Sequence, residues 1–326
     1  MVEHKTQEIS EDEATLYDRQ IRLWGLDSQK RLRAARVLVV GARGLGAEVA
    51  KNLILAGVKT LTLLDSEPVA PEDLESQFLV SESAVGTNRA LSSLDRARPL
   101  NPMVDVQARG NAIDAEPDEF FTKFEVVLAL GCLKKHNQRL DQICRLNNIK
   151  FFAADVFGFY GYMFADLLLH EFSIETKINI KGAPPVSQMT KETATFVPYQ
   201  DFMDADWKSD DQAKKLKRMS FGYFLMRVVQ EFREKEKRYP SRSEEDLKTL
   251  LSLRDSLLPE LGVDPAKIPE EVFNNTTGQL GATCAILGGI VAQEVIKAIS
   301  LKDRPLNNAF FFDPDTCAGK VECIGC

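Results

Sequence analysis

The residues best suited to chemistry lie between Val37 and Leu53, where VLVVGARGLGAEVAKNL reads as a buried strand, a glycine turn and a helix. In a G-x-G-x-x-G dinucleotide turn the middle glycine lets main chain approach the pyrophosphate, and the following helix N-terminus supplies oriented N–H groups. Gly41 and Gly46 fill the outer positions, but Arg43 puts a long side chain in the middle one. Beginning the motif at Gly44 gives Gly46 second and Val49 third, so neither register is complete. The turn alone therefore reads as a tight strand-to-helix connection that binds nothing. Asp65 closes the next apolar run, about where the ribose-binding acid of a dinucleotide site falls, roughly 20 residues on. A carboxylate there can also simply cap a turn.

The cysteines are Cys132, Cys144, Cys284, Cys317, Cys323 and Cys326. Scattered over a large chain, they do not resemble a disulfide framework, and reduced thiols are expected. Cys323 and Cys326 form a lone C-x-x-C. A tetrahedral zinc site needs two more ligands, and Cys317 alone lies near in sequence, so no metal is expected.

The elements that must position these residues alternate. Ser10 and Glu13 have capping-box spacing, predicting a helix start that carries Tyr17 to Trp24 until Gly25 interrupts or redirects it. Strands are predicted at 37–40, 59–65, near 104–106, at 125–130 and at 150–154. Helical segments fall at 84–97 and 140–147. This alternation predicts a doubly wound, mainly parallel Rossmann-like α/β sheet. From 173 to 270 the chain turns polar, with a Gly-Ala-Pro-Pro turn at 182–185 and little strand signal beyond 194–199. Phe221, Phe224, Leu225, Val228, Val229 and Phe232 recur at helical spacing, as do Leu247, Leu250, Leu251 and Leu257, predicting a mostly helical insert with a small core of its own. A buried helix at 282–299 and a strand at 308–313 resume the α/β pattern. The predicted divisions are thus 1–172, 173–270 and 271–326.

A chain of 326 residues with net charge −7 does not suit a dominant nucleic-acid surface, and the basic run Lys214, Lys215, Lys217 and Arg218 reads as a solvated helix face. No apolar run reaches the roughly 20 residues of a membrane span, and the acidic, polar N-terminus does not read as a secretory signal. A cytosolic or nuclear protein that engages neither nucleic acid nor membrane is expected.

Taken in order, Tyr17-Asp18-Arg19-Gln20-Ile21-Arg22, the Gly41–Gly46 turn, Asp65, Gln77-Phe78-Leu79 and the closing run 310–313 (FFFD) resemble the ubiquitin-like-protein activating enzymes. The runs 16–25, 51–58, 101–106, 155–161 and 292–297 look most like the SUMO-activating branch, in its smaller chain. The family adenylates a modifier's C-terminal carboxylate with ATP and magnesium and then takes the acyl group on a cysteine. That chemistry needs a bare turn for phosphate, cations for pyrophosphate and a carboxylate for the metal. Against the family's G-x-G-G-x-G, this chain has Arg43 in the turn. Against Asn-Leu-x-Arg-Gln it has Asp73-Leu74-Glu75-Ser76-Gln77, and Arg89 stands for the phosphate-binding lysine. Cys132 and Leu133 lie where the metal-binding aspartate and an asparagine belong.

The resemblance therefore implies a vestigial pocket at Gly41, Gly44, Gly46 and Asp65, with no cofactor or metal of its own. It implies a heterodimer with a large catalytic subunit that holds ATP and magnesium, acting on SUMO, in the nucleus and also in the cytoplasm. Arg19 is expected to act catalytically in trans at the partner's ATP site; taken alone, an arginine would read as half of a surface ion pair. The family forms its thioester on a cysteine in the inserted region, and 173–270 contains none. Two other readings stand beside this one: a self-sufficient homodimeric adenylating enzyme of the sulfur-carrier-activator type, and an NAD-dependent Rossmann oxidoreductase.

Overall fold

The computed structural model describes residues 10–178, 186–209, 215, 216 and 218–326. The expected turn at 182–185, and Lys214 and Lys217 of the basic run, lie outside the described residues.

Among the described residues ten strands form two sheets: β1 Arg36–Val40, β2 Thr60–Leu64, β3 Asp105–Arg109, β4 Val126–Leu130, β5 Lys150–Phe157, β6 Tyr160–Asp166, β7 Leu169–Ile178, β8 Val186–Thr195, β9 Ala309–Asp313 and β10 Ala318–Glu322. The main sheet has the order β10-β9-β6-β5-β4-β1-β2-β3. From β5 to β3 every pairing is parallel. The other three strands pair antiparallel, because the two residues between β5 and β6 allow only a hairpin. Strand order reverses between β1 and β4, and that switch point, at the carboxyl ends of the strands, is where a doubly wound sheet offers a crevice.

Both faces of the sheet are covered, which is why its strands read as continuous apolar runs. Val37, Val39, Leu61, Leu63 and Leu128 pack under the helices Gly44–Ala56 and Gly281–Ser300. Their neighbours Leu38, Val40, Leu64, Val127 and Phe151 face the opposite layer. An 18-residue stretch of the 20-residue helix Gly281–Ser300 has a mean hydropathy of 1.5, so by length and composition the helix could cross a membrane, which corrects the expectation that no apolar run reaches that length. Its most apolar stretch is 61% buried within the protein, against the helix Gly44–Ala56.

The inserted segment differs from expectation in two ways. It opens with the ten-residue hairpin β7–β8, whose alternation is masked in sequence by charged and hydroxyl residues on both strands. Its helical stripes also build no separate core. Phe224, Leu225, Val228, Val229 and Phe232, on the helix Gly222–Glu236, share one apolar cluster with Leu38, Val127, Phe151 and Phe164 of the sheet. Leu250, on the helix Glu244–Glu260, joins the same cluster. The insert is thus the second layer of the α/β sandwich, and this brings its far end to the crevice.

The expected helix start is present: Ser10 and Glu13 form a capping box. The helix Glu11–Leu16 breaks at Tyr17, however, before a second one, Asp18–Trp24, ends at Gly25. Reduced thiols were expected throughout, but Cys323 and Cys326 are joined as a disulfide, because a buried turn between them holds both sulfurs on one side.

Candidate functional site

The crevice is lined by Gly41 after β1, Asp65 after β2, Gly131 and Cys132 after β4, and Asp155 within β5. Gly41 has φ +92°, a left-handed conformation that L side chains rarely adopt, and it turns the chain from β1 into the helix Gly44–Ala56. Gly44 and Gly46 are buried in that helix's first turn, Gly44 directly against Ser76. These glycines keep their geometry, and two amides beside them are already bonded to side chains. Ala42 N donates to Asp65 Oδ2 at 2.8 Å, and Leu45 N to Gln279 Oε1 at 3.4 Å. Gln77 closes the turn from below, its Nε2 donating to Ala42 O at 2.7 Å.

Charges follow the same inward pattern. Arg43 Nε donates to Asp73 Oδ1 at 3.2 Å. Arg89 reaches Asp73 Oδ2 and Asp65 Oδ2, both at 2.9 Å, and Pro68 O at 3.1 Å. Arg89 is 6% exposed and Asp73 only 1%, so this is a desolvated network. Burial pulls the Arg89 pKa down, and the facing Asp65 and Asp73 more than offset that, leaving it raised. Asp73, an anion where the resemblance would place an asparagine, therefore anchors two guanidinium groups in place of a ligand.

The insert supplies what the sequence reading missed. Arg233 Nη1 donates to Asp155 Oδ2 and Nη2 to Gly131 O, each at 2.6 Å. Tyr239 Oη donates to Asp155 Oδ1 at 2.9 Å. The guanidinium carbons of Arg233 and Arg43 lie 3.9 and 4.9 Å from the centroid of the Tyr239 ring. Tyr239 stands so close over Gly131 that a Cβ there would lie 2.6 Å from its hydroxyl. Burial raises the Asp155 pKa, with the Arg233 charge and the Tyr239 hydrogen bond opposing it. Nothing local marks these two residues in sequence beyond an arginine within an apolar helical stripe, because their partners lie 78 and 84 residues away.

Three guanidinium groups, of Arg43, Arg89 and Arg233, are thus matched by three carboxylates, of Asp65, Asp73 and Asp155. A triphosphate would meet an internally neutralised site and would have to displace the Tyr239 ring. Where the resemblance would place a metal-binding aspartate, this chain has Cys132, and the carboxylates of the crevice, Asp65, Asp73 and Asp155, are each already paired with a guanidinium group. Cys132 offers a buried thiol that burial pushes up to about 12, which is neither a metal-binding carboxylate nor a nucleophile near neutral pH. Phosphate would therefore have to compete with these ion pairs for every one of the three guanidinium groups.

Arg19 is not brought into this cluster. It sits on the helix Asp18–Trp24, exposed, with no ion-pair partner among the described residues. Its helix is nonetheless firmly held. Tyr17 is 2% exposed, and its hydroxyl accepts from Asn101 Nδ2 at 2.9 Å. Gln20 Nε2 donates to Leu55 O at 3.1 Å, and Trp24 Nε1 to Gln29 Oε1 at 3.0 Å. The surface of this region mixes exposed leucines, Leu16, Leu23, Leu26 and Leu55 at 45 to 70%, with the exposed Arg22–Asp18 ion pair. Leu23, four residues on, shares the helix face of Arg19.

Comparison with known proteins extends over the whole chain. SUMO-activating enzyme subunit 1 of Homo sapiens is 47% identical over 334 residues, covering 97% of this chain and 96% of that protein. The protein of the same name from Xenopus tropicalis is 46% identical over 346 residues, covering 100% and 99%. The sheet, the crevice and the insert all fall within residues 17–322, which match the ThiF family model, and the chain belongs to the ThiF family.

Proposed function

We propose that this chain is the small, non-catalytic subunit of a SUMO-activating enzyme. It pairs with a larger catalytic subunit of related fold, and that partner holds ATP and magnesium, adenylates the SUMO C-terminus and carries the thioester. The observation that carries the reading is the contrast between the two ends of the molecule. The chain's own crevice is filled by Tyr239 and neutralised by paired charges, while Arg19 is presented, unpaired among the described residues, on an anchored helix that also exposes Leu23, with Leu16 exposed just before it. Such a surface needs covering, and a protein partner is the natural cover.

In this reading Arg19 enters the partner's nucleotide site and stabilises charge developing on the departing pyrophosphate. The chain's other contribution is architectural. Both a homodimeric sulfur-carrier activator and an NAD-dependent oxidoreductase would need a nucleotide where Tyr239 stands. The site of action proposed is the nucleus, with the cytoplasm as second compartment, and neither nucleic acid nor membrane is a partner.

Pyrophosphate exchange tests the proposal. The pure chain with ATP, magnesium and SUMO is expected to give none, and the complex co-purified with a large SUMO-activating subunit is expected to exchange and to charge SUMO on the larger chain alone. Exchange that scales with the isolated chain, or a thioester mapped to it, would overturn the reading.

A further inference from the structure

The thiols divide sharply by position. Cys132, Cys144 and Cys284 are buried, and burial raises the pKa of all three, Cys132 and Cys284 to about 12. They are poor nucleophiles. At the surface are Cys317, free and exposed, and the bonded pair Cys323–Cys326. The Cα atoms of the pair are 6.1 Å apart, an ordinary separation for a disulfide.

The pair is held by contacts that do not involve sulfur. Ile324, between the two cysteines, is 1% exposed. Asn308 clamps its backbone from both sides: Asn308 Nδ2 donates to Ile324 O at 2.7 Å, and Ile324 N donates to Asn308 Oδ1 at 3.0 Å. Gly325 turns the chain against the backbone of Asp201, in the helix Tyr199–Met203 of the insert. The backbone between the two cysteines is therefore anchored by contacts that do not depend on the bond. Lys215, Lys267 and Lys320 lie about Glu322, next to Cys323.

We propose that Cys323 and Cys326 form an exchangeable dithiol–disulfide couple that takes small disulfides of the glutathione type as oxidant and the corresponding thiol as reductant. In the oxidising direction one cysteine thiolate attacks a sulfur of glutathione disulfide. A mixed disulfide forms, and one glutathione thiolate leaves. The second cysteine thiolate then attacks the protein sulfur of that mixed disulfide, closing the Cys323–Cys326 bond and releasing the second glutathione. Two electrons pass from the protein dithiol to one glutathione disulfide, and the two cysteine protons end on the two glutathiones. The inference does not depend on the part played in SUMO activation.

The couple is read directly by equilibrating the full-length chain in buffers stepped from reduced to oxidised glutathione, quenching with acid, alkylating and digesting with trypsin. Cleavage after Lys320 isolates both cysteines on the peptide 321–326 and leaves Cys317 on another. The expected result is a peptide doubly alkylated at reducing ratios that loses both alkyl groups together, and two hydrogens, as the ratio rises. Cys326→Ser should instead accumulate one glutathione on Cys323, an adduct the unsubstituted chain does not build up. A peptide doubly alkylated at every ratio, or one that stays closed in reduced glutathione alone, would overturn the proposal. So would bonding to Cys317, or equal glutathione adducts with and without the substitution.

Discussion

Arg233 lies flat over the ring of Tyr239, its guanidinium carbon 3.9 Å from the ring centroid, and the two residues bond opposite oxygens of the same carboxylate, Asp155. Removing either arm leaves a buried carboxylate short of partners. Arg233→Ala is expected to destabilise the full chain by about 3–5 kcal/mol, the usual cost of breaking a buried ion pair. Tyr239→Phe, which keeps the ring but removes the hydroxyl, should cost about 1–3 kcal/mol. Urea denaturation followed by tryptophan fluorescence checks both, and equal stability of all three chains would show that the network is not formed in solution.

The trans role of Arg19 separates chemistry from folding. Arg19→Ala should leave the melting temperature and the heterodimer intact and slow adenylate formation. Trans-acting arginines in phosphoryl transfer contribute about 10³ to 10⁵ in rate, and the other cations of an adenylation site make a smaller loss the expectation here. Arg19→Lys should recover part of the rate, because a point charge replaces a fork that can hold two oxygens. Single-turnover adenylation at saturating and limiting ATP decides the matter. An unchanged rate leaves the subunit purely architectural.

Removing Arg43 alone should not open the crevice to nucleotide. Arg43→Gly restores a bare turn, but Asp73 still pairs with Arg89 and Tyr239 still covers Gly131. Isothermal titration of this variant with ATP and magnesium is expected to show no heat of binding. A measurable affinity would mean that the tyrosine is displaced at little cost.

A second buried carboxylate sets a pH dependence. Asp141 Oδ2 accepts from Tyr199 N at 2.7 Å, its Oδ1 is buried without a partner, and Asp166, paired to Arg145, stands beside it. Burial, with the Asp166 charge adding to it, pushes the Asp141 carboxyl up to about 8. Because the folded form holds the proton more tightly than the unfolded chain, this contribution is fully present below about pH 4 and is lost as pH rises through about 8. Asp141→Asn carries a permanent donor in place of the titrating proton, so its stability should fall less than that of the unsubstituted chain between pH 5 and 8. Parallel slopes in thermal melts across that range would refute the assignment.

The alternating layers were legible because period and punctuation agree over 37–65: apolar runs, a glycine turn and a carboxylate at the end of the second strand. The departures from an adenylating pocket at Arg43, Asp73, Ser76 and Cys132 were legible as residue types. What they do instead was not, since Asp73 bonds Arg43 and Arg89 across 30 and 16 residues, and Tyr239 meets Asp155 across 84. The hairpin β7–β8 escaped because its residues at 186–195, VSQMTKETAT, carry hardly any apolar alternation. The insert read as a separate unit because helical periodicity shows that a face is apolar, and not which neighbour covers it.

Tyr239 is also one part of a threefold barrier. Three segments, the first glycine turn, the loop holding Asp73 and the end of the insert, each oppose a nucleotide by different means, and reversing any one leaves the other two in force. A nucleotide site here would therefore take coordinated change in all three segments, a barrier that no single substitution crosses.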